Sequence, residues 1–183
     1  MEQKQNLSEI VFYARGGQGA KSAAEIMAQA ALSEGKFVQA FPSFGPERSG
    51  APVETYLRIS NKKIRTREPI TKPNVLVILD ETLLQSEKKV ADVVIVNSAK
   101  SEDEIRKKMG SVGKLYLIDA NEISLKLIGV ARPNSVILGK IAQVAKSAKI
   151  ESIVREFRKL FEGKIGKEAT EKNIAAIQAA YVS

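Results

Sequence analysis

One stretch early in the chain constrains the fold more than any other: Ile10-Val11-Phe12-Tyr13-Ala14-Arg15-Gly16-Gly17-Gln18-Gly19-Ala20-Lys21-Ser22. Residues 10–14 carry no charge, as a strand passing through a core requires. Glycines at 16, 17 and 19 permit a tight turn, positive φ, or close backbone approach. Ala20, Ala23, Ala24, Met27, Ala28 and Ala31 then fall at helical spacing, with side chains small enough to lie close on a sheet. Strand, glycine turn and helix together predict an α/β fold. The helix N-terminus, with its free N–H groups and partial positive charge, is a place where anions bind.

Neither familiar phosphate motif fits this turn. If Lys21-Ser22 closes the P-loop pattern G-x-x-x-x-G-K-[ST], Ala20 and Arg15 stand where its glycines belong. The dinucleotide fingerprint G-x-G-x-x-G accepts Gly17 and Gly19 but meets Ser22 at its third glycine. No acid ends the next strand, residues 37–41, which runs into Pro42. A tight turn without a ligand and a loop facing a phosphate group or a partner both remain open.

Composition narrows the chemistry. The 183 residues suit a single domain spanning 1–183, and 44% hydrophobic content supports a core. There is no cysteine, histidine or tryptophan. That excludes disulfides, thiolate nucleophiles, cysteine-held iron–sulfur clusters, a Ser-His-Asp triad and imidazole metal ligands. No catalytic or metal-ligating residue is therefore assigned. The sequence shows no secretory signal and no apolar run of membrane-spanning length, so a cytoplasmic protein without membrane contact is expected. A net charge of +8 attracts phosphate-bearing cofactors, nucleic acid or an acidic partner. Aromatics at 5% leave few platforms for base stacking, so nucleic acid is not expected.

A second unusual stretch runs from Phe41 to Pro52. Three prolines and two glycines in twelve residues exclude a helix or a central strand. Loops of this length are often functional. Arg48 is its best anion-gripping group, since a guanidinium can hold phosphate or carboxylate bidentately; it can equally pair with Glu47. Residues 53–60 alternate, and a polar turn at 61–63 leads to Ile64-Arg65-Thr66-Arg67, which predicts a β-hairpin with a cation-protected edge. Residues 74–80 form an apolar strand with Asp80-Glu81-Thr82 at its carboxyl end, where ligands gather in open α/β sheets or where Asp80 or Thr82 caps the next helix. Further strands are predicted at 90–97 and 114–119. Ser101-Glu102-Asp103-Glu104 reads as a capping box, and helices follow at 120–128, from Pro133, around Ile153 and Phe157, and at the end of the chain, with breaks at Gly163 and Gly166. The alternation predicts a mixed, mostly parallel sheet with helices on both faces and an inserted hairpin.

Taken in order, several of these stretches carry a family likeness. They are Gly16-Gly17-Gln18-Gly19, the run from Phe44 to Val53, the strand ending at Asp80, Pro133-Asn134 with Leu138-Gly139, and Glu171-Lys172-Asn173-Ile174-Ala175-Ala176. The set resembles the gamma subunit of the 2-oxoacid:ferredoxin oxidoreductases, especially those acting on pyruvate. The resemblance implies a non-catalytic subunit of a complex that decarboxylates a 2-oxoacid, forms an acyl-coenzyme A and passes electrons to ferredoxin. It implies alpha, beta and delta partner subunits that carry thiamine diphosphate and the iron–sulfur clusters, so no cofactor is expected on this chain alone. Coenzyme A would lie at its border, near Gly16, Gly17, Gln18, Gly19, Ser43, Gly45, Glu47 and Arg48, or these residues would form a subunit seam. The alternatives are a subunit for 2-oxoglutarate or branched-chain 2-oxoacids, and a stand-alone nucleotide- or nucleic-acid-binding domain.

Overall fold

The computed structural model describes residues 7–43, 50–86, 89–109 and 112–183. Six strands form one sheet in the order β2-β3-β1-β4-β5-β6. They are β1 (Leu7–Arg15), β2 (Phe37–Pro42), β3 (Pro52–Ser60), β4 (Val75–Ile78), β5 (Val93–Asn97) and β6 (Lys114–Ile118). β1 pairs parallel with β4, β4 with β5 and β5 with β6. The β1–β3 and β3–β2 pairs are antiparallel. This is the mixed, mostly parallel sheet that the sequence predicts.

The two faces of the sheet follow from the period of two along each strand. Ile10, Phe12, Ala14, Leu57, Val75, Val77 and Ile95 point to one face. Four helices cover that face: α1 (Ala20–Ser33), α4 (Pro133–Ala145), α5 (Ile150–Ile165) and α6 (Lys167–Val182). Val11, Tyr13, Leu76, Ile78, Val94 and Val96 point the other way. There the cover is thinner: Ile105 of α2 (Glu102–Met109), the 3-10 turn Glu81–Leu83, and Ile70 and Ala91 from connecting segments. α3 (Ala120–Ile128) packs on α4 and α6.

The inserted antiparallel element differs from the predicted hairpin. Residues 64–67 form no strand. Both edges of β3 are already paired, to β1 over its whole length and to β2 from Phe37 to Pro42. Ile64 stands alone among Lys62, Lys63, Arg65 and Arg67, so an added strand there would bury almost nothing apolar. The inserted pair is instead β2–β3, with the 43–50 loop between its strands. Gly163 also differs from expectation: α5 runs through it and stops at Gly166, whose φ of 81° ends the helix. Tyr181 is 36% exposed, while Ile174 and Ile177 are buried as expected.

Two contacts hold the layers in register. α4 is buried along eight consecutive residues, 135–142, because it lies under the other helices as well as on the sheet. At Gly139 the backbones of α4 and α6 meet, and a Cβ there would lie far inside van der Waals contact distance of the Ile177 carbonyl oxygen. Beside them the Ser135 hydroxyl donates to Asn173 Oδ1 at 2.9 Å. On the sheet, Arg58 of β3 is only 3% exposed. Its guanidinium donates to Glu9 Oε1 at 2.7 Å, to Gln39 Oε1 at 3.0 Å and to the Glu68 carbonyl at 2.7 Å, and it lies over the Phe41 ring. One cation thus joins β1, β2, β3 and the segment after β3.

Gly139→Ala should cost about 1–3 kcal/mol, the range for overpacking, read as a lower urea midpoint with unchanged slope. Arg58→Ala removes a buried, fully paired charge and should cost about 3–5 kcal/mol in the same measurement. A loss below about 1 kcal/mol would mean that solvent replaces its partners.

Candidate functional site

The glycine turn closes the carboxyl end of β1. Gln18 N–H donates to the Arg15 carbonyl at 3.0 Å, and Arg15 N–H donates to Gln18 Oε1 at 2.8 Å. Gly17 and Gly19 adopt φ of 93° and 81°, where a side chain is strained. Gly19 caps α1, and a Cβ on it would lie 2.5 Å from Asn134 Nδ2. Gly17 faces open space among the described residues: a Cβ on it would meet nothing within 4 Å. α1 has no side-chain cap, so its first N–H groups depend on solvent or a ligand.

Asp80 fastens this turn to β4. Its Oδ1 accepts from Thr82 N–H at 2.9 Å and from the Thr82 hydroxyl at 2.6 Å. Its Oδ2 accepts from Gln18 Nε2 at 2.7 Å and lies 3.3 Å from Arg15 Nε. Asp80 is therefore the cap of the 3-10 turn, and it also holds the glycine turn. Burial alone would raise its carboxyl. The Thr82 hydroxyl and amide, Gln18 and the Arg15 charge outweigh that and hold it below its ordinary value.

Arg15 completes the corner. Nη2 donates to Thr82 Oγ1 at 2.8 Å and Nη1 to the Gly50 carbonyl at 3.0 Å. Gly16 N–H donates to the Ala51 carbonyl at 2.8 Å, and Gly50 N–H to the Gly16 carbonyl at 3.3 Å. The far end of the 43–50 loop is therefore bound to the glycine turn. Its near end is bound to β3, where Ser43 N–H donates to the Glu54 carbonyl at 2.9 Å. Glu54 in turn takes the Tyr56 hydroxyl and the Lys89 ammonium. Burial and the hydrogen bond to Glu54 push the Tyr56 hydroxyl above its ordinary value.

Of the eight residues singled out by sequence, Gly16, Gly17, Gln18 and Gly19 come together at this corner, and Ser43 stands at the root of the loop. Gly45, Glu47 and Arg48 lie outside the described residues. Arg15 and Asn134 belong to the corner although the sequence does not single them out as site residues, and Thr82 joins it from the strand end where a ligand group or a cap is expected. Arg15 stands out there only as a failed P-loop position, and Asn134 only within a family motif.

Beside the turn, a groove of about 520 Å³ opens at the carboxyl ends of β4, β5 and β6. Among the described residues its charged walls are Asp80, Glu81, Asp119 and Glu122 against Lys100. Lys100 and Ser98 both bond Glu81 and hold its carboxyl below the ordinary value. Asp119 caps α3, with Oδ1 accepting from Glu122 N–H at 2.8 Å. Buried Asn97 bridges the Leu79 carbonyl and Ala120 N–H. Among the described residues no group of three acidic side chains converges as a metal site would require. The groove is negative, although the chain as a whole is positive.

Comparison with known proteins places this architecture. The family model described as "Pyruvate ferredoxin/flavodoxin oxidoreductase" matches residues 9–183. The "Pyruvate/ketoisovalerate oxidoreductases common subunit gamma" of Pyrococcus furiosus is 44% identical over 179 residues, covering 94% of this chain and 95% of that one. The "Pyruvate synthase subunit PorC" of Thermotoga maritima is 40% identical over 177 residues, covering 94% and 92%. A crystal structure of the pyruvate oxidoreductase subunit PORC from Thermotoga maritima superposes with a TM-score of 0.85 at 36% identity, covering 97% of this chain and 96% of that one. Fold and sequence relatives agree, and the chain belongs to the pyruvate ferredoxin/flavodoxin oxidoreductase family as a gamma-type subunit.

Proposed function

We propose that this chain is the gamma subunit of a pyruvate:ferredoxin oxidoreductase, which makes acetyl-CoA and CO2 and passes electrons to ferredoxin. In this reading the alpha, beta and delta partners carry thiamine diphosphate and the iron–sulfur clusters in the cytoplasm. The gamma chain supplies a surface and performs no chemistry. One observation carries that role: the polar side chains of the corner are spent on one another. Arg15, Gln18, Asp80 and Thr82 are mutually bonded, which leaves the backbone around Gly17 as the exposed feature. A rigid backbone corner suits a subunit seam that borders coenzyme A. The carboxylates of the neighbouring groove repel a pyrophosphate. In this reading the coenzyme A border runs along the Lys21 side of the turn, and Arg48 is the guanidinium that the sequence offers for it. The Pyrococcus relative is named for ketoisovalerate as well as pyruvate, which favours a second reading: a gamma subunit shared with a branched-chain 2-oxoacid enzyme.

Coenzyme A titrated calorimetrically into the assembled complex tests the border. Arg48→Ala should weaken its affinity about tenfold, the loss of one charge-assisted contact of about 1.4 kcal/mol, with a matching rise in the Michaelis constant. Unchanged values with intact assembly would restrict the corner to a seam. Loss of co-purification of Gly17→Ala with the other subunits, at a thermal stability of the isolated chain close to that of the wild type, would identify that seam directly. Asp80→Ala should lower stability by about 1–2 kcal/mol at pH 7. Because the folded carboxyl sits below its unfolded value, its contribution is complete above about pH 5 and disappears as pH falls through the folded value. The stability of Asp80→Ala should accordingly fall less between about pH 7 and about pH 3 than that of the wild type.

A further inference from the structure

Residues 61–74 join the end of β3 to the start of β4 and form neither helix nor strand. Only β1 lies between those two strands in the sheet. The gap is therefore two strand spacings, about 10 Å, which about three or four residues would cross. Irregular connections so much longer than their gap are commonly functional. This one carries Lys62, Lys63, Arg65, Arg67 and Lys72 against a single carboxylate, Glu68. All five cationic residues are exposed, and among the described residues none of their side chains makes a hydrogen bond, ion pair or ring contact. Protection of a sheet edge, the reason that the sequence suggests for them, does not apply, since residues 64–67 form no strand. Nor is the segment a loose tether. The Arg58 guanidinium holds the Glu68 carbonyl at 2.7 Å, Glu68 N–H donates to Thr66 Oγ1 at 3.4 Å, and Ile70 is 1% exposed within the core under the thinly covered sheet face. The fold thus fixes a row of like charges that repel one another and gives them nothing to pair with.

We infer that residues 61–72 are a docking surface for an acidic face of a sister subunit in the assembled complex, an inference that rests on reading this chain as a subunit. Charge complementarity identifies the partner. Five unpaired cations strung along an irregular connection match a broad face rich in Asp and Glu, and the guanidinium groups of Arg65 and Arg67 can each grip a carboxylate bidentately. None of the large apolar side chains exposed among the described residues lies in this segment, so the contact draws on charge and not on apolar burial. A nucleic acid matches less well, because the segment has no aromatic side chain on which a base could stack. A membrane surface matches less well, because Ile70 is buried in the core and Ile64 is half-buried, which leaves no apolar anchor. A segment pinned in advance also loses less freedom when it binds. Ser60 pairs with Leu7 at the start of β1, so this surface lies at the end of the sheet opposite the glycine turn and is a contact separate from it.

Zero-length carbodiimide cross-linking of the assembled wild-type complex, read by peptide mass spectrometry, tests this directly, because it joins an ammonium only to a carboxylate in contact with it. Lys62, Lys63 or Lys72 should be joined to Asp or Glu of a sister subunit. Retention of the chain in the complex during washes of rising salt gives a second readout. Lys62→Glu/Lys63→Glu/Arg65→Glu should weaken retention about tenfold at low ionic strength, with the difference shrinking toward ~1 M salt, while melting close to the wild type. Lys107→Glu/Lys126→Glu/Lys167→Glu reverses three exposed charges elsewhere and should be retained as the wild type is. A wild-type complex in which the lysines of the segment join no sister subunit, or two triple variants released alike, would overturn the inference. So would a duplex oligonucleotide or phosphatidylserine vesicles bound by the wild type and lost by the segment variant alone, since that assigns the surface to a polyanion of another class. A wild-type chain that joins no complex would overturn the subunit reading itself, and this inference with it.

Discussion

One carboxylate at the end of β4 organises the functional corner. Asp80 accepts four polar contacts, from Thr82 twice, from Gln18 and from Arg15. A group so placed carries a desolvation cost that its hydrogen bonds must exceed. Its lowered carboxyl shows that they do. Through Gln18 the carboxylate fixes a turn that glycine makes possible but does not hold in one shape. Through Arg15 it reaches the end of the 43–50 loop. Two glycine-bearing segments, distant in sequence, become one corner because they share this anchor.

The distribution of charge modifies what the composition implies. An excess of eight positive charges suggests an anion-seeking surface at the glycine turn. Yet the two best-placed arginines are used internally. Arg58 is buried as a joint between strands, and Arg15 braces the corner. The groove beside the turn is negative despite that excess. Net charge describes the field of the molecule at a distance and leaves open which cleft is positive.

The elements most legible in the sequence are those with a strong period or a defined cap. β1, α1 and the capping box at Ser101 and Glu104 are legible because each depends on residues near in sequence. The hairpin after β3 is not, because alternation says that residues 53–60 are a strand and does not say which strand takes the edge. That choice is made by β1, which is distant in sequence, and by β2, one loop before β3; both offer more apolar side chains than residues 64–67. At the site, glycines announce the turn through their spacing. Arg15 and Asn134 give no such sign, since their roles arise only where three loops meet. The close approach at Gly139 is equally silent: nothing around it names Ile177 as its neighbour.

The central position of β1 has a consequence for how the chain acquires its structure. The strand formed by the first described residues is completed by β3 on one side and β4 on the other, while the helix after it packs on α5. Contacts so distant in sequence must close large loops before they repay the entropy, which slows folding. During synthesis, the apolar residues 10–14 and the alanine face of α1 wait until α4 and α5 have left the ribosome. For that interval the nascent chain exposes apolar surface that the finished fold buries, the condition under which partly folded chains associate.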